Sequence, residues 1–518
     1  MHTIRSGPAL RRSGVALLAA AALTFTALAP AAQAIPEGTR TSTGGDVVGW
    51  GYSANGRTVA PEPPVGTSYR AISAGESDSL ALRTDGQVVG FGAHSPAAPP
   101  LGGSQKYVAV SAGAAHFLYL RSDGQIASSG DNTYAERNFP SLPAGVRYVA
   151  ISAGYYFSLG LRSDGRIEAV GYTGFGTTTV PPLPSGLTYT KISAGFEHAL
   201  ALRSDGRVVG WGVNGYGETV APPLPSGVKY TGISASYFTS LALRSDGKAV
   251  GFGYNVYGQA TPPNPPSGSK FVEVTSTYFA AAALTTKGKI VTWGSADNGA
   301  LDVPDAPAGT KYSTAAGGGY HFLALTVRTT KVVATAPTGW HYGKTAKLAA
   351  KVTAVGVTPT GTVAVYKGAT KLGQGALAAG KVNVTLAAKV LKPGTHALTV
   401  KYLGANALAP SSVNVNVKVV KATSTAKASL VSSSIARSAH GKVKVTVTAP
   451  GVVPTGKVRV YDGTHALVTV TIGASAHGKV TVTLPKLSPG KHGINVKYLG
   501  SSLVAPDSAP RVTLTVRS

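Results

Sequence analysis

Ile192-Ser193-Ala194-Gly195, followed by Leu200-Ala201-Leu202-Arg203-Ser204-Asp205-Gly206-Arg207-Val208-Val209-Gly210-Trp211-Gly212, decides the fold of this chain because it recurs. The same text returns over residues 151–171 and 233–253 and, more worn, over 274–294. Its Val-Val-Gly element starts at residues 47, 88 and 208, with equivalents at 126, 167, 249 and 290, so the steps are 41, 38, 41, 41, 41 and 41 residues. A period of that length, made of short apolar runs, belongs to a propeller or another repeat array. Leu200-Ala201-Leu202 reads as a strand packed on both faces, Asp205-Gly206 as a tight type I′ hairpin turn, and Val208–Gly212 as the returning strand. The Ser-Ala-Gly segments read as innermost strands, where blades converge and only small side chains fit. The ends are complementary. Val47-Val48-Gly49-Trp50-Gly51 is a second hairpin half without a first, and His321-Phe322-Leu323-Ala324-Leu325 a first half without a second. Pairing them closes a ring and hides its edges. The expectation is an all-β chain opening with a seven-bladed β-propeller.

The pattern Gly-x-x-His-x-Leu-Ala-Leu-x-x-Asp-Gly-x-Val-x-x-Trp-Gly-x-Asn, over most of residues 45–327, resembles the regulator-of-chromosome-condensation repeat family. The short period and Gly176–Pro181 look closest to the secreted β-lactamase-inhibitory proteins of the second type, compact propellers that bind an enzyme through the loops of one face. The family histidine stands at His116, His198 and His321 but is replaced by Asp78, Phe157, Thr239 and Ala280 in the other copies. The three are therefore read as structural.

Residues 331–420 and 421–518 copy each other: Pro359-Thr360-Gly361 matches Pro454-Thr455-Gly456, and Lys401-Tyr402-Leu403-Gly404 matches Lys497-Tyr498-Leu499-Gly500. The spacing of 95 or 96 residues is that of a β-sandwich. Lys442-Val443-Lys444-Val445-Thr446-Val447 alternates inward Val with outward Lys and Thr. These modules look like bacterial immunoglobulin-like domains, which implies a spacer or adhesive stalk, without the disulfide and buried Trp of antibody domains. His396 and His492 occupy one equivalent position and read as turn-stabilising residues. The domains expected are residues 1–34, signal peptide; 35–328, propeller; 329–420 and 421–518, two tandem immunoglobulin-like β-sandwiches.

The leader rests on Arg5, Arg11 and Arg12, an apolar Val15–Leu28 stretch and Ala32-Gln33-Ala34 as cleavage site. No later segment is long and apolar enough for a membrane span, and no Leu-Pro-x-Thr-Gly anchor signal is present. The chain has no cysteine, which removes thiol catalysis and cysteine-ligated metals. Its net charge of +27 is lopsided: residues 331–518 hold 24 Lys+Arg against 2 Asp+Glu, residues 35–330 hold 21 against 19. A cationic C-terminal third implies an anionic partner. After export that is a cell-wall polymer, with nucleic acid not expected. The expected location is secreted and extracellular, held non-covalently at the cell envelope.

Catalytic motifs are missing. Gly210-Trp211-Gly212-Val213-Asn214-Gly215 fits Gly-x-Gly-x-x-Gly only because the repeat supplies the glycines. The Asp-Gly aspartates are explained by turn geometry. No cofactor, no metal and no enzymatic activity are expected; a polysaccharide-active enzyme is the lesser alternative. What remains is an excess of aromatic residues at two places in the repeat. One follows Ser-Ala-Gly: Tyr155, Tyr156, Phe196, Tyr237, Phe238, Tyr278, Phe279 and Tyr320. The other follows the Trp-Gly strand: Tyr134, Tyr172, Phe175, Tyr216, Tyr254 and Tyr257. Both fall at the end opposite the Asp-Gly turns, so all fourteen share one pole as a crescent, with Glu76, Asp78, Asp131, Glu136, Glu197 and Glu218 as a polar rim. Partial burial of half these rings reaches the ~800 Å² per partner of an ordinary interface. The competing reading has them packed between blades. The expected function is a secreted binding protein whose aromatic face takes an extracellular protein or glycan; the narrower alternative is inhibition of a β-lactamase or penicillin-binding enzyme.

Overall fold

The computed structural model describes residues 45–405 and 407–518, so the leader expected over 1–34 lies outside the described residues. In the quoted repeat, Tyr189–Ala194, His198–Arg203 and Val208–Gly212 pair antiparallel in that order. Six sheets of this kind follow each other along the chain, and a seventh joins Val47–Gly51, His321–Arg328 and Thr310–Gly317. In that closing blade Val47 lies opposite Leu325 and Gly51 opposite His321, the pairing expected from the complementary ends. The fold is a seven-bladed propeller of three-stranded blades.

Small side chains on the first strands do more than save space. The buried Ser193 hydroxyl accepts the Ala235 N–H of the next blade at 2.9 Å, and Ser73, Ser111, Ser152 and Thr275 repeat that bond toward Ala112, Ala153, Ala194 and Gly317. Ser234 departs from the series, its hydroxyl meeting that of Ser276 at 3.4 Å, and the series ends at Ala316, which has no hydroxyl to offer. There the ring relies on the Gly319 N–H, which donates to the Gly75 carbonyl at 3.0 Å, and on the Val47–Gly51 strand. Toward the outside, indole N–H groups join neighbours: Trp211 donates to Thr177 O, Trp293 to Gln259 O and Trp50 to Ala300 O, at 2.7, 2.8 and 3.1 Å. Each blade thus satisfies buried polar groups of the next, as a buried donor requires.

The hairpin turns differ from the expected type. Gly206 has φ 85°, but Asp205 is not among the residues with positive φ. The Gly206 N–H donates to Arg203 O and the Arg203 N–H to Arg207 O, both at 2.9 Å. This is a three-residue loop, a type I turn followed by a left-handed glycine, rather than type I′. Asp205 is kept by its side chain: one carboxylate oxygen accepts the Arg207 N–H at 3.1 Å and the other the Arg203 guanidinium at 2.5 Å.

The C-terminal third folds as two sandwiches, each of a three-stranded and a five-stranded sheet. Val443, Val445 and Val447 of Lys442–Thr448 point into the second core while Lys442 and Lys444 face water. The first sandwich buries one tryptophan, on an edge strand rather than at the central-strand position of antibody domains. Trp340 sits on a two-residue edge strand, Trp340–His341, paired parallel to Val419 and Val420, and its indole N–H donates to Lys344 O at 2.8 Å. His492 stabilises its turn by bonding Ser488 O at 2.7 Å, as His396 does with Lys392 O at 2.7 Å. His492 has a further partner that the sequence did not suggest, Asp462, whose carboxylate meets Nδ1 at 2.5 Å. Between propeller and first sandwich only Thr329 separates the strands His321–Arg328 and Thr330–Thr335. The Arg328 N–H donates to Ala407 O and its carbonyl accepts from Ala409 N–H, both at 2.7 Å, so the junction is itself hydrogen-bonded.

Candidate binding face

Two loops of each blade reach one pole. Residues 195–197 join the first strand to the second, and residues 213–219 leave the third. Their backbones are tied together: the Val213 N–H donates to Glu197 O at 2.8 Å, as Tyr172 does to Tyr156 O and Tyr254 to Phe238 O at 2.8 Å. Around the axis the first loop is also tied to the next blade, with Phe196 N–H on Ser236 O and Tyr278 N–H on Gly319 O, both at 3.0 Å. Loops bonded in two directions hold their side chains in place before any partner arrives, which lowers the ordering cost of binding.

All fourteen aromatic residues singled out above lie on this pole, and their rings form one connected network. Tyr134 meets Tyr156 and Tyr172 with centroids 4.7 and 5.1 Å apart, and Tyr172 meets Phe175 at 4.9 Å. Tyr155, Phe196, Tyr237, Tyr278 and Tyr320 follow one another at 4.7, 4.6, 4.9 and 5.0 Å. Phe238 carries Tyr216, which carries Tyr254, at 5.4 and 5.1 Å, and Tyr257 leans on Phe279 at 5.0 Å. The rings are graded by depth. Phe196 and Tyr278 are buried beneath the others, whereas Tyr134, Tyr216 and Tyr257 stand 39, 53 and 46% exposed at aligned positions of three blades. Tyr52, 42% exposed and aligned with Tyr172 after its own Trp-Gly, belongs to the same pole and was missed by the sequence reading. The guanidinium of Arg57 lies over its ring at 4.9 Å.

The expected polar rim needs correction. Asp78, Glu136 and Glu218 are buried. Glu136 and Glu218 turn inward to accept the Tyr134 and Tyr216 N–H groups at 2.8 and 2.7 Å, and Gln259 does the same for Tyr257 at 3.0 Å. Asp78 accepts both the backbone N–H and Nδ1 of His94, at 2.7 and 2.8 Å. These acids shape the loops that present the tyrosines. Asp131 is exposed and Glu76 and Glu197 half-buried, so the rim is reduced to these three. Burial raises the Glu197 carboxyl, with the Glu218 charge adding to it, and pushes Glu76 up to about 7, opposed by Arg57.

His116, His198 and His321 are buried and sit beside serines of the neighbouring blade: Nε2 to Ser158, Ser240 and Ser79 Oγ at 2.8, 2.9 and 2.9 Å. These pairs have the composition of a nucleophile and its base, but Ser240 and Ser79 already donate their hydroxyl protons to Glu218 O and Arg57 O, at 2.7 and 2.8 Å. In those two pairs the imidazole is then the donor, not a base, and all three rings are fully buried. Among the described residues no group of three or more His, Asp or Glu is placed to hold a metal.

Comparison with known families places these elements. Residues 107–136, 189–218 and 230–259 match the Regulator of chromosome condensation (RCC1) repeat, and residues 332–420 and 428–517 match the Bacterial Ig-like domain (group 3). Among solved structures, Prp20p from Saccharomyces cerevisiae is similar at 17% identity over 55% of this chain and 92% of its own, TM-score 0.47. Human WBSCR16 is similar at 19% over 54% and 98%, TM-score 0.45. The adhesin InvE of Yersinia pseudotuberculosis is similar at 16% over 36% and 58%, TM-score 0.21. No curated protein sequence matches the chain.

Proposed function

We propose that this chain, a propeller of regulator-of-chromosome-condensation repeats carrying two bacterial immunoglobulin-like domains, is an exported, non-enzymatic binding protein. Its aromatic pole holds a protein or glycan, and its cationic sandwiches associate with an anionic polymer of the cell envelope. The observation that carries this reading is the connected aromatic layer, with Tyr134, Tyr216 and Tyr257 raised above it. Tyrosine supplies large, stiff, amphipathic contact area, which is why it dominates binding hot spots. The cationic third supports the envelope arm, because lysines on outward strand positions remain free to meet a polyanion. Export is supported by the N-terminal basic, apolar and small-residue sequence.

The test is capture of a partner by the full chain, alongside Tyr134/Tyr216/Tyr257→Ala. The triple variant should fold normally, since the three rings project, and should lose the partner by at least tenfold. Equal capture by both proteins overturns the assignment of the face. Inhibition of a β-lactamase or penicillin-binding enzyme is the narrower form, and an inhibition assay with the same pair of proteins separates it. For the envelope arm, wall-bound protein should be released by molar salt, since exposed charges are screened over about 3 Å at that strength; retention unchanged by salt overturns it.

A further inference from the structure

The innermost ring of the pole contains one residue out of keeping with its neighbours. Blade by blade, the middle residue of the loop between first and second strands is Glu76, Ala114, Tyr155, Phe196, Tyr237, Tyr278 and Gly319. Ala114, Phe196 and Tyr278 come from alternate blades yet form one buried cluster, so these residues converge on the propeller axis. Glu76 is its one carboxylate. It is half-buried, and its carboxylate has no hydrogen-bond or ion-pair partner among the described residues. The nearby Arg57 guanidinium is engaged elsewhere: Nη1 donates to the Glu76 backbone carbonyl and Nε to Ala54 O, both at 2.9 Å. A second polar group is stranded beside it. Tyr278 is 2% exposed and its hydroxyl has no partner. An unsatisfied buried hydroxyl is costly, so native proteins keep few without a use. Gly319 links the two loops, its N–H donating to Gly75 O and its carbonyl accepting the Tyr278 N–H, both at 3.0 Å. Burial raises the phenols of Tyr278, Tyr155 and Tyr320, and the charge of Glu76 adds to it.

We infer that this axial mouth receives an alkylammonium group of the partner, such as the end of a lysine side chain, with Glu76 as counter-ion, the rings of Tyr155, Tyr237 and Tyr320 as its wall and the Tyr278 oxygen as an acceptor. The inference rests on the binding role proposed for the face and names the chemistry of its deepest contact. Aromatic faces attract a cation through their quadrupole, and more strongly when water is excluded. The Glu76 carboxylate feels the Arg57 charge but takes no hydrogen bond from it, because the guanidinium is bound to backbone carbonyls, so its oxygens are left to meet an incoming cation. The rings favour a compact cation over a flat one: Tyr237–Tyr278 and Tyr278–Tyr320 meet at 46° and 80°, and the one near-parallel pair, Tyr155–Phe196 at 27°, is already in mutual contact at 4.7 Å, which leaves no gap between them for a guanidinium. The groups facing Glu76 are Arg57, which lowers its carboxyl, and the phenols of Tyr155, Tyr278 and Tyr320, whose own values it raises; burial dominates and leaves the carboxyl at about 7. A cation selects the ionised form, so affinity rises with pH through that value.

The experiment titrates the full chain with n-butylammonium, n-butylguanidinium and neutral n-butanol at pH 6 and pH 8, followed by NMR shifts of the tyrosine rings. Butylammonium should bind at least tenfold tighter than butanol at pH 8, and lose most of that advantage at pH 6. Glu76→Gln should remove the advantage at both pH values. Equal binding of the amine and the alcohol by the wild-type chain at pH 8 overturns the inference without any variant; guanidinium binding as tight as ammonium overturns the assignment of the cation. Should Tyr134/Tyr216/Tyr257→Ala lose its partner while ammonium fails to bind, the face stands and the axial inference alone falls. Should that triple variant keep its partner, the face reading falls whatever the ammonium does.

Discussion

His116, His198 and His321 show how one residue type is made safe inside a propeller. Burial holds their imidazoles far below the ordinary 6.5, at about 4 for His116 and about 3 for the other two. Each is neutral when folded and takes up a proton only when unfolded. Their contribution to stability is therefore present above pH 6.5 and lost as pH falls, by about 1.4 kcal/mol per pH unit for each histidine. Urea titrations between pH 7 and 5 should show that slope from all three, and His198→Gln should remove about a third of it. The same site explains a covariation within the chain. Gly113, Gly195 and Gly318 precede the three histidines by three residues, and a Cβ at Gly195 would sit 2.9 Å from His198 Cε1. Where the histidine becomes Thr239 or Ala280, the glycine becomes Ser236 or Thr277, whose hydroxyl donates to Thr239 O or Ala280 O, both at 3.2 Å. Gly195→Ser alone should cost ~1–3 kcal/mol through overpacking. Adding His198→Thr should recover part of that loss, a coupling that a double-mutant cycle measures directly.

At the scale of the element, the outer loop decides what the pole presents. Glu218 is buried and touches no partner, yet its carboxylate holds the N–H of Tyr216. The next blade performs the same task with Gln259 and Tyr257. Glu218→Gln should therefore leave partner binding close to wild type. Glu218→Ala frees the Tyr216 loop and should weaken binding several-fold while Tyr216 itself is intact, a result read by comparing affinities of the two variants. Equal loss in both would mean that the carboxylate's charge, not its hydrogen bond, matters. The hairpin loops make the converse point at the other pole. There Asp205 is occupied by Arg203 and Arg207 N–H, which keeps a ring of carboxylates from acting as a site.

Across the whole molecule, propeller and second sandwich respond to pH in opposite directions. Asp462 raises the His492 imidazole above its ordinary value, with the Ser488 carbonyl adding to it. A raised histidine contributes stability that is full below pH 6.5 and lost as pH rises through its folded value. The propeller histidines lose theirs on the way down. Histidine titrations by NMR should place the His492 midpoint above 6.5 and return it toward 6.5 in Asp462→Asn, with the propeller unaffected. A stability profile of the full chain should then resolve two transitions whose order depends on pH, rather than one cooperative loss.

Much of this architecture was legible in residue order alone. The 41-residue period, the unmatched halves at 47–51 and 321–325, and the Lys-Val alternation of the sandwiches are local patterns whose physics is local: strands alternate, turns need glycine, and open edges must pair. The placement of fourteen aromatic residues on one pole followed from the same reasoning, because two loops at fixed places in a repeat must share an end. What the tertiary structure alone decided was depth. Tyr278 and Tyr237 stand at one position of the repeat, yet one is buried at the axis and the other is only half-buried. Glu218 and Asp131 both read as rim acids, yet one is buried beneath a backbone N–H and the other is exposed. Distance from the axis is set by seven blades meeting at once, and no single repeat carries that information.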